Sequence, residues 1–231
     1  MPTAGKIFYY LDPKTIEEIH ETLRGFTVND TVEEGEISLD LKTDIGALGL
    51  LEDGDLQGVW KQDEIISLTH RGQLTYHLIT KEFPFVFTLK DEQPYLIVLG
   101  KKQLANTVAN KLSETIWGEI GHIIEPRMNP KALRGYYEGS DGTKILLFEN
   151  LDTPNLDKWT GYGEDVVQTD LYGKYVNVGS VRWVVMKSLK KGYTVGISSD
   201  CGVTLFNRVD TINYVEYIKD EIIPLTLVRR E

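Results

Sequence analysis

The 231-residue sequence has one cysteine, Cys201, four histidines and three methionines. A single thiol excludes an intramolecular disulfide. No apolar run approaches the roughly 20 residues that a membrane-crossing helix needs. The opening stretch MPTAGKIFYYLDPK also lacks the apolar core of a secretory signal. A cytoplasmic protein with no membrane partner is the resulting expectation. Basic residues are scarce in the first half: residues 1–125 hold 11 Lys and Arg against 21 Asp and Glu, whereas residues 126–231 hold 14 of each. An acidic body repels phosphates, so sequence-specific DNA binding is not expected. The acidic stretches NDTVEEGE and LLEDGD read as solvated loops, with a docking surface for a basic partner as the alternative.

Motifs for chemistry are equally sparse. His20 has no second histidine four residues on, which excludes a zincin-type pair. His70 and His77 flank the turn in HRGQLTYH and make at most two ligands of a metal site. The carboxylate of Asp200 beside Cys201 raises the thiol pKa, the opposite of what a nucleophile needs. The glycines of GYGED and GSDG match no phosphate-cradling loop. No catalytic residue, metal ligand or cofactor is assigned.

A hydrophobic content of 41% is ordinary for a globular chain and supports a full core. KIFYY reads as a strand and LDPKTIEEIHETLRGF as a helix, with Asp12 as N-cap, Pro13 in the first turn, and Ile16, Ile19 and Leu23 on one apolar face. Strands are expected at EISLDLK, VWKQDEIISLTH and LTYHLIT, followed by the hairpin FVFTLKDEQPYLIVLG. Leu104, Val108, Leu112 and Ile116 then fall four apart on a helix. GEIGHIIEPRMNP reads as a junction, after which Asn129 and Pro130 repeat the helix-start pattern. Further strands are expected at KILLFEN, EDVVQTDLY, YVNVGS, VRWVVMK, YTVGIS and VTLFN, closed by a helix through Ile212, Val215, Ile218 and Ile222. The domain reading is an acidic α+β unit over 1–120, a junction over 121–130 and a charge-balanced α+β unit over 131–231. Phe85 aligns with Tyr193, Tyr95 with Val203 and Leu104 with Ile212 at one offset of 108. The fold class expected is α+β: two similar units of antiparallel sheet backed by helices, arising by internal duplication.

A duplicated unit of strand, short helix, antiparallel strands and long closing helix resembles the TATA-box-binding-protein fold. The likeness is strongest over residues 193–222, where GISSDCGVTLF is similar to that family's strand, turn, strand and helix. The resemblance implies a sheet that presents a concave face to a partner. The residues before the two turns are Ile197 and Leu89, so the DNA-kinking wedge aromatics of that family are absent.

Two features remain as binding candidates. Tyr136, Tyr137, Trp159, Tyr162, Tyr172, Tyr175, Trp183 and Tyr193 build either core or recognition surface. Lys187, Lys190 and Lys191, with Arg182, form a candidate basic patch, or else protect a hairpin tip against edge pairing. The functional expectation is a non-enzymatic binding or adaptor module presenting a sheet face to a protein or nucleic-acid partner. The alternative is a small-molecule enzyme with its site near His122, flanked by Glu119 and Glu125.

Overall fold

Antiparallel pairing organises the computed structural model, which describes residues 2–12, 14–34 and 37–228. The chain divides into a terminal unit, Met1–Tyr9 with Gly100–Lys102 and Ile124–Glu231, and a central unit, Tyr10–Leu99 with Gln103–Ile123. The first strand, β1 (Thr3–Tyr10), thus lies almost wholly in the terminal unit. The architecture is α+β, and antiparallel pairs build the sheet of each unit among the described residues.

The central unit opens with helix α1 (Ile16–Leu23), whose N-cap is Thr15 rather than Asp12. Thr15 Oγ1 accepts from the Glu18 N–H at 3.2 Å and Glu18 Oε2 accepts from the Thr15 N–H at 2.8 Å, a reciprocal box that satisfies two otherwise free donors. Asp12 has no such reciprocal partner three residues on, and Pro13 lies outside the described residues. Ile16, Ile19 and Leu23 are buried, as the periodicity predicts. The sheet follows as a meander of β2 (Thr27–Glu34), β3 (Ile37–Leu50), β4 (Leu56–His70), β5 (Gln73–Lys90) and β6 (Gln93–Leu99), with neighbours in chain order.

Two expectations change here, and one holds. NDTVEEGE is not a loop: Asn29–Glu34 belong to β2, while Gly35 and Glu36 lie outside the described residues. LLEDGD does form the connection between β3 and β4, closed by Leu51 N–H donating to the Asp55 carbonyl at 2.8 Å. LTYHLIT and FVFTLK are one strand, β5, despite Pro84. That proline lies one residue beyond the Phe85–Val98 pair ending the β5–β6 ladder, so its missing N–H removes no bond on that side. Helix α2 (Lys102–Trp117) buries Val108, Leu112 and Ile116, three of the four residues expected on its apolar face. Gly58 is required by its cross-strand partner, since a Cβ there would meet Phe85 Cζ at 2.4 Å.

Strand β7 (Ile123–Ile124) starts on the last residue of the central unit, and β8 (Arg127–Met128) lies in the terminal unit; each has two residues. Helix α3 (Pro130–Glu138) starts as the sequence indicates: Asn129 Oδ1 accepts from Lys131 N–H at 3.0 Å and from Ala132 N–H at 3.3 Å, with Pro130 in the first turn. Next come β9 (Thr143–Glu149), β10 (Lys158–Tyr162), α4 (Asp170–Tyr175), β11 (Ser180–Lys187), β12 (Thr194–Ser198) and β13 (Gly202–Leu205). The order across the sheet is β10-β9-β11-β12-β13-β1. EDVVQTDLY is not a strand but a 3-10 turn over Val166–Gln168 followed by α4, because Thr169 caps the helix by accepting from Tyr172 N–H at 3.2 Å. YVNVGS is a turn, and β10 was not foreseen.

The last helix, α5 (Thr211–Tyr217), widens into a π-turn over Ile218–Ile222 and ends in a 3-10 turn over Ile223–Leu225. Pro224 has no N–H to continue an i→i−4 ladder, which accounts for the change of pitch. Val215, Ile218 and Ile222 are buried, but Ile212, expected beside them, is 69% exposed. The chain closes with β14 (Thr226–Leu227), paired to β8. A shift of 108 carries β12, β13 and the last helical stretch onto β5, β6 and α2, yet it carries β4 onto residues 164–178, which are helical and turn. Duplication of a whole unit is therefore not shown.

Candidate functional site

Beyond its base, the sheet of the central unit opens into two ribbons. The β2–β3 ladder runs from Thr27–Asp44 to Glu34–Ile37, and the β4–β5 ladder from Leu56–Phe87 to His70–Gln73. The second hairpin turns on Arg71 (φ 50°) and Gly72 (φ 81°), the two left-handed residues that a tight two-residue turn needs. Among the described residues the β3–β4 ladder ends outward at Thr43–Gln62. From there each hairpin continues as a two-stranded ribbon. Asp63 holds the fork: its carboxylate accepts from Lys42 N–H at 3.0 Å and from Thr80 Oγ1 at 2.6 Å.

Burial falls away along the β4–β5 ribbon. Leu68, Leu74 and Leu78 are 51%, 53% and 43% exposed. Register puts Leu74 and Leu78 on one face with Tyr76 and Ile65, and Leu68 on the other with Ile66 and Ile79. Both faces of the ribbon thus offer apolar side chains to solvent. The outer segments, residues 28–42 and 63–80, together hold seven Asp and Glu against two Lys and Arg. Asp30, Glu33 and Asp40 are exposed, and β2 is the edge strand of this unit's sheet.

The terminal unit contains a cleft of about 760 Å³, walled by β8, the first turns of α3, the end of β9, the start of β11 and the β12–β13 turn. Arg182 lies in its wall, where Nη1 donates to Ser199 Oγ at 2.9 Å and Nη2 is 3.5 Å from Asp200 Oδ2. Burial alone would raise the Asp200 pKa, but hydrogen bonds from Lys102 and Ser198 and the charges of Lys6 and Lys102 outweigh it and hold the carboxyl at about 2. A carboxyl depressed in the folded state stabilises the fold above its unfolded pKa, and that contribution is lost as the pH falls through the folded value. Asp200→Asn is expected to cost about 2 kcal/mol at pH 7. It should also flatten the loss of stability between pH 4 and about 2. Urea midpoints across that range check both, and an unchanged pH slope would contradict the assignment.

The other sequence candidates are dispersed. Lys187 pairs with Asp141, and Lys190 Nζ lies 2.8 Å from Glu221 Oε1, a carboxylate only 6% exposed. Lys191 has no ion-pair partner among the described residues. Arg182 is five residues from Lys187 along β11, about 17 Å at strand spacing. Of the eight aromatics, Tyr137, Tyr172 and Tyr175 are buried, while Tyr162 is 75% exposed. Trp159 stacks on Phe148 and Tyr175 with centroids at 6.0 and 5.3 Å, as part of a core cluster.

His122, in the central unit, stacks on Trp117 with centroids 5.4 Å apart, and its Nε2 is 3.2 Å from Glu119 Oε1. Its backbone is tied at both ends, with N–H donating to Ser113 Oγ at 3.1 Å and the carbonyl accepting from Leu11 N–H at 3.1 Å. These contacts describe a packed residue, and the cleft above is not lined by it. His77 faces Ile66 and His70 faces Gln73, four positions apart along the ribbon, about 13 Å at strand spacing and too far to share an ion. Cys201 is fully buried, and burial together with the Asp200 charge pushes its thiol pKa well up. No helix among the described residues is long and apolar enough to cross a membrane. No family model matches the chain, and a search of curated proteins found no match.

Proposed function

We propose that the chain is a non-enzymatic binding module whose central unit grips a basic, extended segment of a protein partner with the forked β-ribbons. One observation carries the reading: the β4–β5 ribbon continues through Asp63–Thr80 with no third strand among the described residues and with leucines exposed on both faces. A two-stranded ribbon is at best marginally stable alone, and an open edge invites another strand. Strand addition supplies main-chain hydrogen bonds, while alternate side chains supply selectivity. The surplus of carboxylates on the ribbons fixes the sign of the partner, because like charges across an interface are penalised and opposite charges speed encounter. The same surplus disfavours DNA. The likeness to the TATA-box-binding-protein fold enters this proposal as a scaffold that offers a sheet to a partner, without the nucleic acid.

The test is a fluorescence-anisotropy titration of the full chain with a labelled decapeptide of alternating Lys and Val, and in parallel with one of alternating Glu and Val. Salt-sensitive binding of the basic peptide alone is expected at about 0.15 M salt, where the screening length is about 8 Å. Equal binding of both peptides, or of neither, would contradict the proposal.

A further inference from the structure

The cleft of the terminal unit has an uneven charge balance. Its lining carries Arg127, Lys131, Arg134 and Arg182 against Glu125, Glu149 and Asp200. The carboxylates are already occupied. Glu125 Oε1 lies 2.6 Å from the fully buried Lys6 Nζ, Asp200 is paired with Lys102, and Arg182 Nε is 3.9 Å from Glu149 Oε2. Arg134 is spoken for by Glu138 at 2.8 Å and Asn177 at 3.3 Å. Arg127 and Lys131 have no ion-pair partner among the described residues, and both are exposed. Counting the partners, six cations face four carboxylates, a surplus of two positive charges.

Within this rim the accessible lining includes the apolar Pro130, Val176 and Val181, backed by Leu133, Tyr137 and Phe148, which are all at most 2% exposed. A volume of about 760 Å³ lies in the range that holds small organic ligands, and an apolar lining with a few placed polar groups is their usual setting. The amide N–H groups at the start of α3 are not the attraction, because the Asn129 side chain already occupies those of Lys131 and Ala132. Charge recognition falls to side chains. A guanidinium and an ammonium lining one cleft suit an oxyanion, the first by its planar fork and the second as a point charge.

We infer that this cleft binds a small organic oxyanion, a phosphate ester or carboxylate on a flat apolar body, with Arg127 and Lys131 holding the anionic group and the accessible Pro130, Val176 and Val181 receiving the body. The site lies in a different unit from the ribbons and does not depend on what they bind.

Calorimetric titration of the full chain with adenosine monophosphate, 2-naphthoate, adenosine and inorganic phosphate tests it. At least one of the two anions with a flat body should bind with Kd below about 1 mM, and adenosine and phosphate alone should bind at least about tenfold more weakly. The double variant Arg127→Gln/Lys131→Gln, at two exposed positions, should keep the wild-type melting temperature and lose affinity about tenfold or more. The phosphate and carboxylate arms tell which oxyanion is preferred. Absence of binding by both flat-bodied anions at millimolar concentration, or a double variant that binds as well as the wild type, would overturn the assignment.

Discussion

Trp60→Ala is expected to destabilise the chain by about 3–5 kcal/mol, the cost of deleting a large aromatic from a packed core. Trp60 is 1% exposed, rests on Phe26 with centroids 5.4 Å apart, and donates from Nε1 to Gln62 Oε1 at 3.1 Å. It lies opposite Ile45 on β3 and Phe83 on β5, two residues inward of the Thr43–Gln62 pair at which the ribbons part. Removing the indole leaves a void that neighbouring strands cannot close, because their ladders fix the backbone on both sides. Leu68→Ala, eight residues further along β4, removes a side chain that is already half exposed and should change stability by no more than about 0.5 kcal/mol. Urea midpoints of the two variants give the comparison. Similar losses for both would mean that the ribbon is packed as the base is, and the reading of an unpartnered ribbon would fall.

The second large effect concerns binding. Asp30→Lys, Glu33→Lys and Asp40→Lys together reverse the charge of the exposed β2–β3 ribbon at sites with few internal obligations. Among the described residues Asp30 accepts from the Thr31 N–H at 2.9 Å and Asp40 from the Thr31 hydroxyl at 2.9 Å, both local contacts, so the fold should survive. Affinity for the alternating Lys–Val peptide should fall at least about tenfold, with most of the loss relieved by salt, since charges at the rim act mainly through long-range attraction. An unchanged affinity would show that the carboxylates merely discourage aggregation of the β2 edge, which charged residues also do.

Much of the scaffold is legible in the residues. Asn129 with Pro130, the four-residue spacing of Val108, Leu112 and Ile116, and the two halves of FVFTLKDEQPYLIVLG each act locally, through capping, helical period and a tight turn on Asp91 and Glu92. What misled was context. The run EDVV looks like a strand until Thr169 caps a helix three residues later, and Ile212 looks like core although it is exposed in the first turn of the last helix. The ribbons were the hardest to read, because a strand that is exposed on both faces carries no burial pattern, and β2 therefore resembles an acidic loop. The cleft of the terminal unit draws on Arg127, Pro130, Lys131, Val176 and Val181, of which the sequence marks only Pro130, and that as a helix start; no spacing rule connects residues assembled from separate elements.

Hydrogen exchange of the full chain, free and with the alternating Lys–Val peptide, addresses the central claim most directly. In the free chain the amides of residues 63–80 should exchange far faster than those of the Phe85–Lys90 and Gln93–Val98 ladder, because a ribbon of two strands opens locally while the covered base does not. At saturating peptide, protection should rise along residues 28–42 and 63–80 and stay unchanged in the terminal unit. Ribbon amides as protected as the base before any peptide is added, or unaltered by it, would contradict the account.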